Sequence, residues 1–178
     1  MGHNSLLELG LLPDNTGFIP ADQMAALTGL GDYVRECHSN AAALAFGNGT
    51  GTSIRIDWGA PRVINRVIIQ EDLAFGQLVR EYKIEAIFCS GTDGAPCAFG
   101  NACCNTYNRE PFPYLVGTGT SIGHKRIHYF DTGPVPATGV IVTATQLFAG
   151  WSSAYWRNLA AFEPCAGDAP AAVTPRKT

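Results

Sequence analysis

A two-residue rhythm runs through residues 53–162, and it limits the possible folds more than any other feature of the sequence. Ile54, Ile56 and Trp58 alternate with Arg55 and Asp57, which predicts a strand with one buried face. Residues 63–70 form a second run, with Val67, Ile68 and Ile69 at its heart. A third spans 78–88, where Tyr82, Ile84, Ala86 and Phe88 share a face opposite Lys83 and Glu85. Further strands are expected at 121–130, 139–146 and 157–162, most of them separated by Gly/Pro turns, and no convincing helix intervenes. Strands without crossover helices pair antiparallel, as in a β-sandwich or jelly roll.

Composition agrees. Of 178 residues, 46% are hydrophobic and 15% charged, too apolar for a disordered chain. Twenty Gly and eleven Pro favour short strands, and an all-helical bundle is excluded. A net charge of -3 without a long basic run argues against nucleic acid as a partner, because phosphate binding needs clustered Lys and Arg. No stretch approaches the roughly 20 apolar residues of a membrane span.

The first forty residues have a different period. An apolar segment at 6–12 is read as a strand, closed by a turn at 13–17. Pro20, Ala21 and Asp22 then resemble a helix start. Met24, Leu27, Leu30, Val34 and Cys37 recur at helical spacing. Gly29 and Gly31 weaken that helix, which points to close packing against something. One βα unit cannot bury its own faces, so residues 1–40 look like the end of something larger. The sandwich is expected over 41–163 and a disordered tail over 164–178.

Six cysteines, four of them between 89 and 107, read as disulfide chemistry and an oxidising compartment, with no CxxC pair to suggest zinc or a redox site. The pairing stays open. No signal peptide is recognised: residues 6–12 are broken by Glu8 and lack a basic flank.

Few constellations could carry chemistry. Glu71 and Asp72 are neighbours, so on a strand they face opposite ways and cannot converge on one glycosidic bond. Their better role is anchoring a strand-end loop by accepting backbone N–H groups. His124 and His128 lie about 13 Å apart on a strand, too far to share a metal. The stretch at 47–51, Gly-Asn-Gly-Thr-Gly, lacks the Lys-Ser/Thr of a phosphate loop and reads as a flexible turn. Trp151, Tyr155 and Trp156 form an aromatic turn that could stack on sugar rings; the structural reading competes, most strongly for Trp156 as a cap on the core. No catalytic residue, metal ligand or cofactor is assigned.

Three segments in order resemble glycoside hydrolase family 29, the α-L-fucosidases. VIIQEDLAFGQLVREY at 67–82 is similar to a strand–loop–strand of that family's accessory sandwich, and TSIGHKRI at 120–127 to a second hallmark of it. NSLLELGLLPDNTG at 4–17 and the following helix, with Leu30, Gly31, Asp32 and Tyr33, resemble the last strand and closing helix of the catalytic barrel. The likeness covers most of residues 4–162.

The resemblance implies a mainly β fold: an antiparallel sandwich of jelly-roll, galactose-binding or discoidin-like type, preceded by one βα unit from a (β/α)8-like barrel. It implies a C-terminal fragment of a lysosomal or secreted hydrolase of α-L-fucosyl linkages. Its partners would be fucosylated glycans or glycoproteins and the catalytic barrel itself. The family's catalytic carboxylates lie upstream, so the chain alone is expected to be inactive. The calcium-associated loop of discoidin-type sandwiches is not recognisable, and no Ca²⁺ is implied. Within the hallmarks, Glu71, Asp72, Gly76, Gln77, Gly123, Lys125 and Arg126 are read as structural. Gly76 and Gly123 suit turns or bulges, and Lys125 and Arg126 would face opposite sides of a strand, one of them within reach of an acid such as Glu71. A free-standing carbohydrate-binding or adhesion module is the competing reading.

Overall fold

Half-buried alternating strands must cover their apolar faces, and here two sheets do so against each other. The structure, a computed structural model, describes residues 8–88 and 112–165. Cys89, Cys97, Cys103 and Cys104 lie outside these residues, as does the expected tail beyond 165. The helix α1 (Ala21–His38) precedes eight strands: β1 (Ala45–Gly51), β2 (Ser53–Ile64), β3 (Arg66–Glu71), β4 (Val79–Phe88), β5 (Phe112–Thr120), β6 (Arg126–Tyr129), β7 (Val135–Leu147) and β8 (Ala154–Phe162). One sheet has the order β1-β8-β3-β6 and the other β2-β7-β4-β5, with every pairing antiparallel. This is the strand order of an eight-stranded jelly roll.

Ile54 and Ile56 of β2, Val67 and Ile69 of β3, Tyr82, Ile84, Ala86 and Phe88 of β4, Val140 and Val142 of β7, and Trp156 and Leu159 of β8 fill the space between the sheets. Burial of each large side chain contributes about 1.5–3 kcal/mol. Ile68 points the other way and joins Ile127, Ala160 and Phe162 in a second cluster, with Ala43 against it. The central strand β3 is thus covered on both faces, which explains its unbroken Val67-Ile68-Ile69 run.

Several elements differ from their sequence reading. Residues 47–51 are no flexible turn: they belong to the edge strand β1, paired with β8 across a bulge between Gly47 and Gly49. Strand β5 lies where no strand is expected, and the run at 63–70 divides at Asn65 between β2 and β3. The strand expected at 121–130 contracts to the four residues of β6, so Lys125 precedes the strand instead of alternating with Arg126 on it. Residues 8–12 form no strand. A strand requires a neighbour for its hydrogen bonds, and no described segment pairs with them.

Helix α1 starts after Pro20 and ends at His38. Only Cys37 and His38 are buried on it, so the helical face of Met24, Leu27 and Leu30 packs on no sheet. A Cβ added at Gly29 or Gly31 would meet nothing within 4 Å, so among the described residues nothing packs closely on these glycines. The fastening lies at the helix C-terminus. Cys37 forms a disulfide with Cys165, just past β8. Arg66, 1% exposed, donates to the Cys37 carbonyl at 2.6 Å, to the Glu163 carbonyl at 3.0 Å and to Asn65 Oδ1 at 2.8 Å. Its guanidinium lies over the rings of Tyr129 and Phe162. Cys165 is therefore tied into ordered structure.

The disulfide closes a loop of 128 residues, long enough for a large restriction of the unfolded chain. Replacing both Cys37 and Cys165 by Ser is expected to lower stability by about 2–5 kcal/mol. Urea unfolding with and without the substitutions measures this, with far-UV circular dichroism retained in the folded variant.

Candidate functional site

Four connections meet at the end of the sandwich opposite the disulfide: β1 to β2, β3 to β4, β5 to β6, and β7 to β8. Glu71, the last residue of β3, organises them. It is 2% exposed, and a buried carboxylate persists only when its lone pairs are filled. Its Oε1 accepts from the backbone N–H groups of Leu78 at 3.0 Å and Val79 at 2.9 Å. Its Oε2 accepts from Gly123 at 2.7 Å, while its own N–H donates to the Gly123 carbonyl at 3.0 Å. Asp72 accepts from the Ala74 N–H at 3.0 Å and caps the short turn Leu73–Phe75. Gly76 and Gly123 have φ of +82° and +67°, a region that side chains disfavour.

Phe75 rides on that turn, and its ring centroid lies 4.7 Å from Tyr155 and 5.8 Å from Trp151. Trp151 and Tyr155 meet edge to face at 6.2 Å. Phe75 is 53% exposed and Trp151 38%, so the cluster presents ring surface to solvent. Two backbone bonds join its loops: the Asp72 N–H donates to the Tyr155 carbonyl at 2.8 Å, and the Phe148 N–H to the Leu78 carbonyl at 2.7 Å. Arg80 lies over the Phe148 ring at 4.9 Å.

Of the three aromatic residues singled out in the sequence, the structure brings Trp151 and Tyr155 together at this surface and withdraws Trp156. Trp156 is 2% exposed and its indole N–H donates to the Gly51 carbonyl at 3.0 Å. Strand alternation is the cause, because Tyr155 and Trp156 face opposite sides of β8. Phe75 takes the third place. Its sequence signal is weak: a single aromatic in a turn far from the others. Gln77 is exposed in the same loop, and Lys125 stands in the turn before β6. Arg126 lies beside Tyr82, away from the aromatic rings.

Inside the sandwich, the Tyr82 hydroxyl and His128 Nδ1 are hydrogen-bonded at 2.9 Å. Gly119 makes room for this pair: a Cβ there would lie 2.5 Å from the Tyr82 hydroxyl. Burial raises the Tyr82 pKa, opposed by Arg126. Burial lowers that of His128; Asp131 works against the shift and Arg126 with it. His128 Nε2 is buried without a hydrogen-bond partner. His124 is exposed in the preceding turn, and among the described residues no group of three His, Cys, Asp or Glu could hold a metal. No described helix is long and apolar enough to cross a membrane.

No family profile and no curated protein matches the chain. Solved structures do. A protein assigned as an α-L-fucosidase from Bacteroides thetaiotaomicron is 30% identical over 92% of this chain and 32% of its own, with a TM-score of 0.72. A second, so assigned from Bacteroides ovatus, is 25% identical over 93% of this chain and 25% of its own, with a TM-score of 0.65. A glycoside hydrolase family 29 member from an unknown rumen bacterium is 25% identical over 95% of this chain and 28% of its own, with a TM-score of 0.64. The chain thus spans a quarter to a third of these proteins, and the match falls on their C-terminal region.

Two outcomes follow from the site. Glu71→Ala leaves three buried N–H groups without their acceptor, each costing about 1–3 kcal/mol. The melting temperature should fall by about 10 °C, read by calorimetry. For His128, the native state holds the neutral ring while the unfolded state binds a proton near its ordinary pKa. Stability is therefore fully present above about pH 6.5 and declines as pH falls below it. Urea midpoints from pH 8 to 5 should show this slope, and His128→Gln should flatten it.

Proposed function

We propose that this chain is the C-terminal region of an α-L-fucosidase-like glycoside hydrolase. Helix α1 and the segment before it close a catalytic barrel, and the sandwich that follows, fastened at Cys165, is its accessory domain. The parent enzyme is secreted or lysosomal and hydrolyses α-L-fucosyl linkages of glycoconjugates. The observation that carries this reading is the apolar side of α1. Leu9, Leu11, Leu12, Ala26, Leu27 and Leu30 line an open groove of about 450 Å³, while Leu12, Phe18 and Met24 are 73%, 74% and 43% exposed. A surface this apolar on so few residues marks an interface, and the helical spacing suits packing against barrel strands. The partial coverage of the fucosidase neighbours supports the same reading.

Hydrolysis with retention needs two carboxyl groups about 5–5.5 Å apart across the scissile bond. Here Glu71 and Asp72 bind backbone N–H groups, and Asp57, Glu85 and Glu163 pair with Arg55, Lys83 and Arg62. These described carboxylates are thus engaged in holding the fold, and the role that remains for the sandwich is to support the barrel.

Assay on 4-nitrophenyl α-L-fucopyranoside tests this. The purified chain should show no turnover above buffer, and turnover should appear when a barrel segment is encoded upstream in the same polypeptide. Turnover by the 178-residue chain alone would refute the reading. Leu27→Asp together with Leu30→Asp should leave the melting temperature of the chain nearly unchanged, yet destabilise the barrel-bearing protein.

A further inference from the structure

We propose that the loop end of the sandwich opposite the disulfide is a binding site for the pyranose ring of a glycan, with Phe75 and Trp151 as its exposed faces and Tyr155 as the support between them. The site needs no catalytic carboxylate and so goes beyond the hydrolase reading.

Ring chemistry and size select the ligand. Three aromatic centroids lie within 4.7–6.2 Å of one another, a footprint of one or two sugar rings. A stable protein–protein contact covers about 800 Å² on each partner, far more than these rings offer. The axial C–H face of a pyranose is apolar and flat, whereas its rim of hydroxyl groups seeks donors and acceptors. Aromatic faces meet the first need. Asp72, at the foot of the Phe75 turn, and Arg80, at the start of β4 and held over Phe148 of the second loop at 4.9 Å, offer an acceptor and a donor for the second.

The surface is also built in advance. Glu71 fixes the start of β4 below Phe75 through Leu78 and Val79. The Asp72–Tyr155 and Phe148–Leu78 backbone bonds join the two loops that carry the rings. A ligand therefore meets an ordered surface and loses little to loop ordering, the condition under which a few ring contacts give measurable affinity.

Titration of the full 178-residue chain with 2′-fucosyllactose, followed by nuclear magnetic resonance of the tryptophan indole N–H groups, tests the site. The Trp151 signal should shift saturably with a dissociation constant of about 1 mM or tighter, while those of Trp58 and Trp156 stay in place. Phe75→Ala and Trp151→Ala should each weaken binding at least about tenfold with the melting temperature retained. Absence of a saturable shift with 2′-fucosyllactose, N-acetyllactosamine and chitotriose alike would overturn the site, as would affinity that survives both substitutions. If glycans fail to bind while the barrel-bearing protein still releases fucose, the site falls and the hydrolase reading stands. Binding by a protein that never releases fucose upholds the site and sinks that reading.

Discussion

The Glu71 carboxylate at the end of β3 holds together parts of the chain that the hydrophobic core alone would leave independent. It receives backbone N–H groups from the start of β4 and from the turn between β5 and β6. Strands β3 and β4 belong to opposite sheets, and the β5–β6 turn crosses between them, so one side chain fixes where the two layers meet. Apolar packing is non-directional and sets the layers face to face. Hydrogen bonds with defined donors set their offset. A buried acceptor with all its partners is tolerated, and one stripped of them is not.

The opposite end of the same strand carries Arg66, which plays a similar part with the opposite charge. Its guanidinium collects the carbonyls of Cys37 and Glu163, the chain just before and just after the sandwich. The Cys37–Cys165 bond closes the same seam. Strand β3 thus reads as three core residues, Val67, Ile68 and Ile69, between two buried charged groups, one for each end of the domain. The helix is anchored at its C-terminal turn, where its two buried residues Cys37 and His38 lie.

These two ends differ in consequence. The disulfide end faces the segment that joins the sandwich to whatever precedes it. The Glu71 end holds loops whose backbone is fixed and whose aromatic side chains remain exposed, the usual division of labour between a rigid scaffold and the loops it presents.

Alternation and punctuation in the sequence suffice for the β class, the antiparallel pairing, the helix after Pro20 and the core face of β4, because each depends on local periodicity. Glu71 and Asp72 are legible as loop anchors on the same grounds: adjacent strand residues cannot converge on one substrate bond. The edge strand β1 is not legible. Its Phe-Gly-Asn-Gly-Thr-Gly run has no strand preference of its own and extends because β8 offers it a ladder. Arg66 looks like a surface residue until its carbonyl partners arrive from positions 29 residues before and 97 residues after it. The aromatic site divides in the same way. Trp151 and Tyr155 are neighbours in sequence and could be paired by inspection, but Phe75 lies some 80 residues away and joins them only through strand order. Local pattern determines which residues can be buried or extended; which distant residues become neighbours is decided by sheet topology, since pairing partners are chosen by the whole core and not by any one segment.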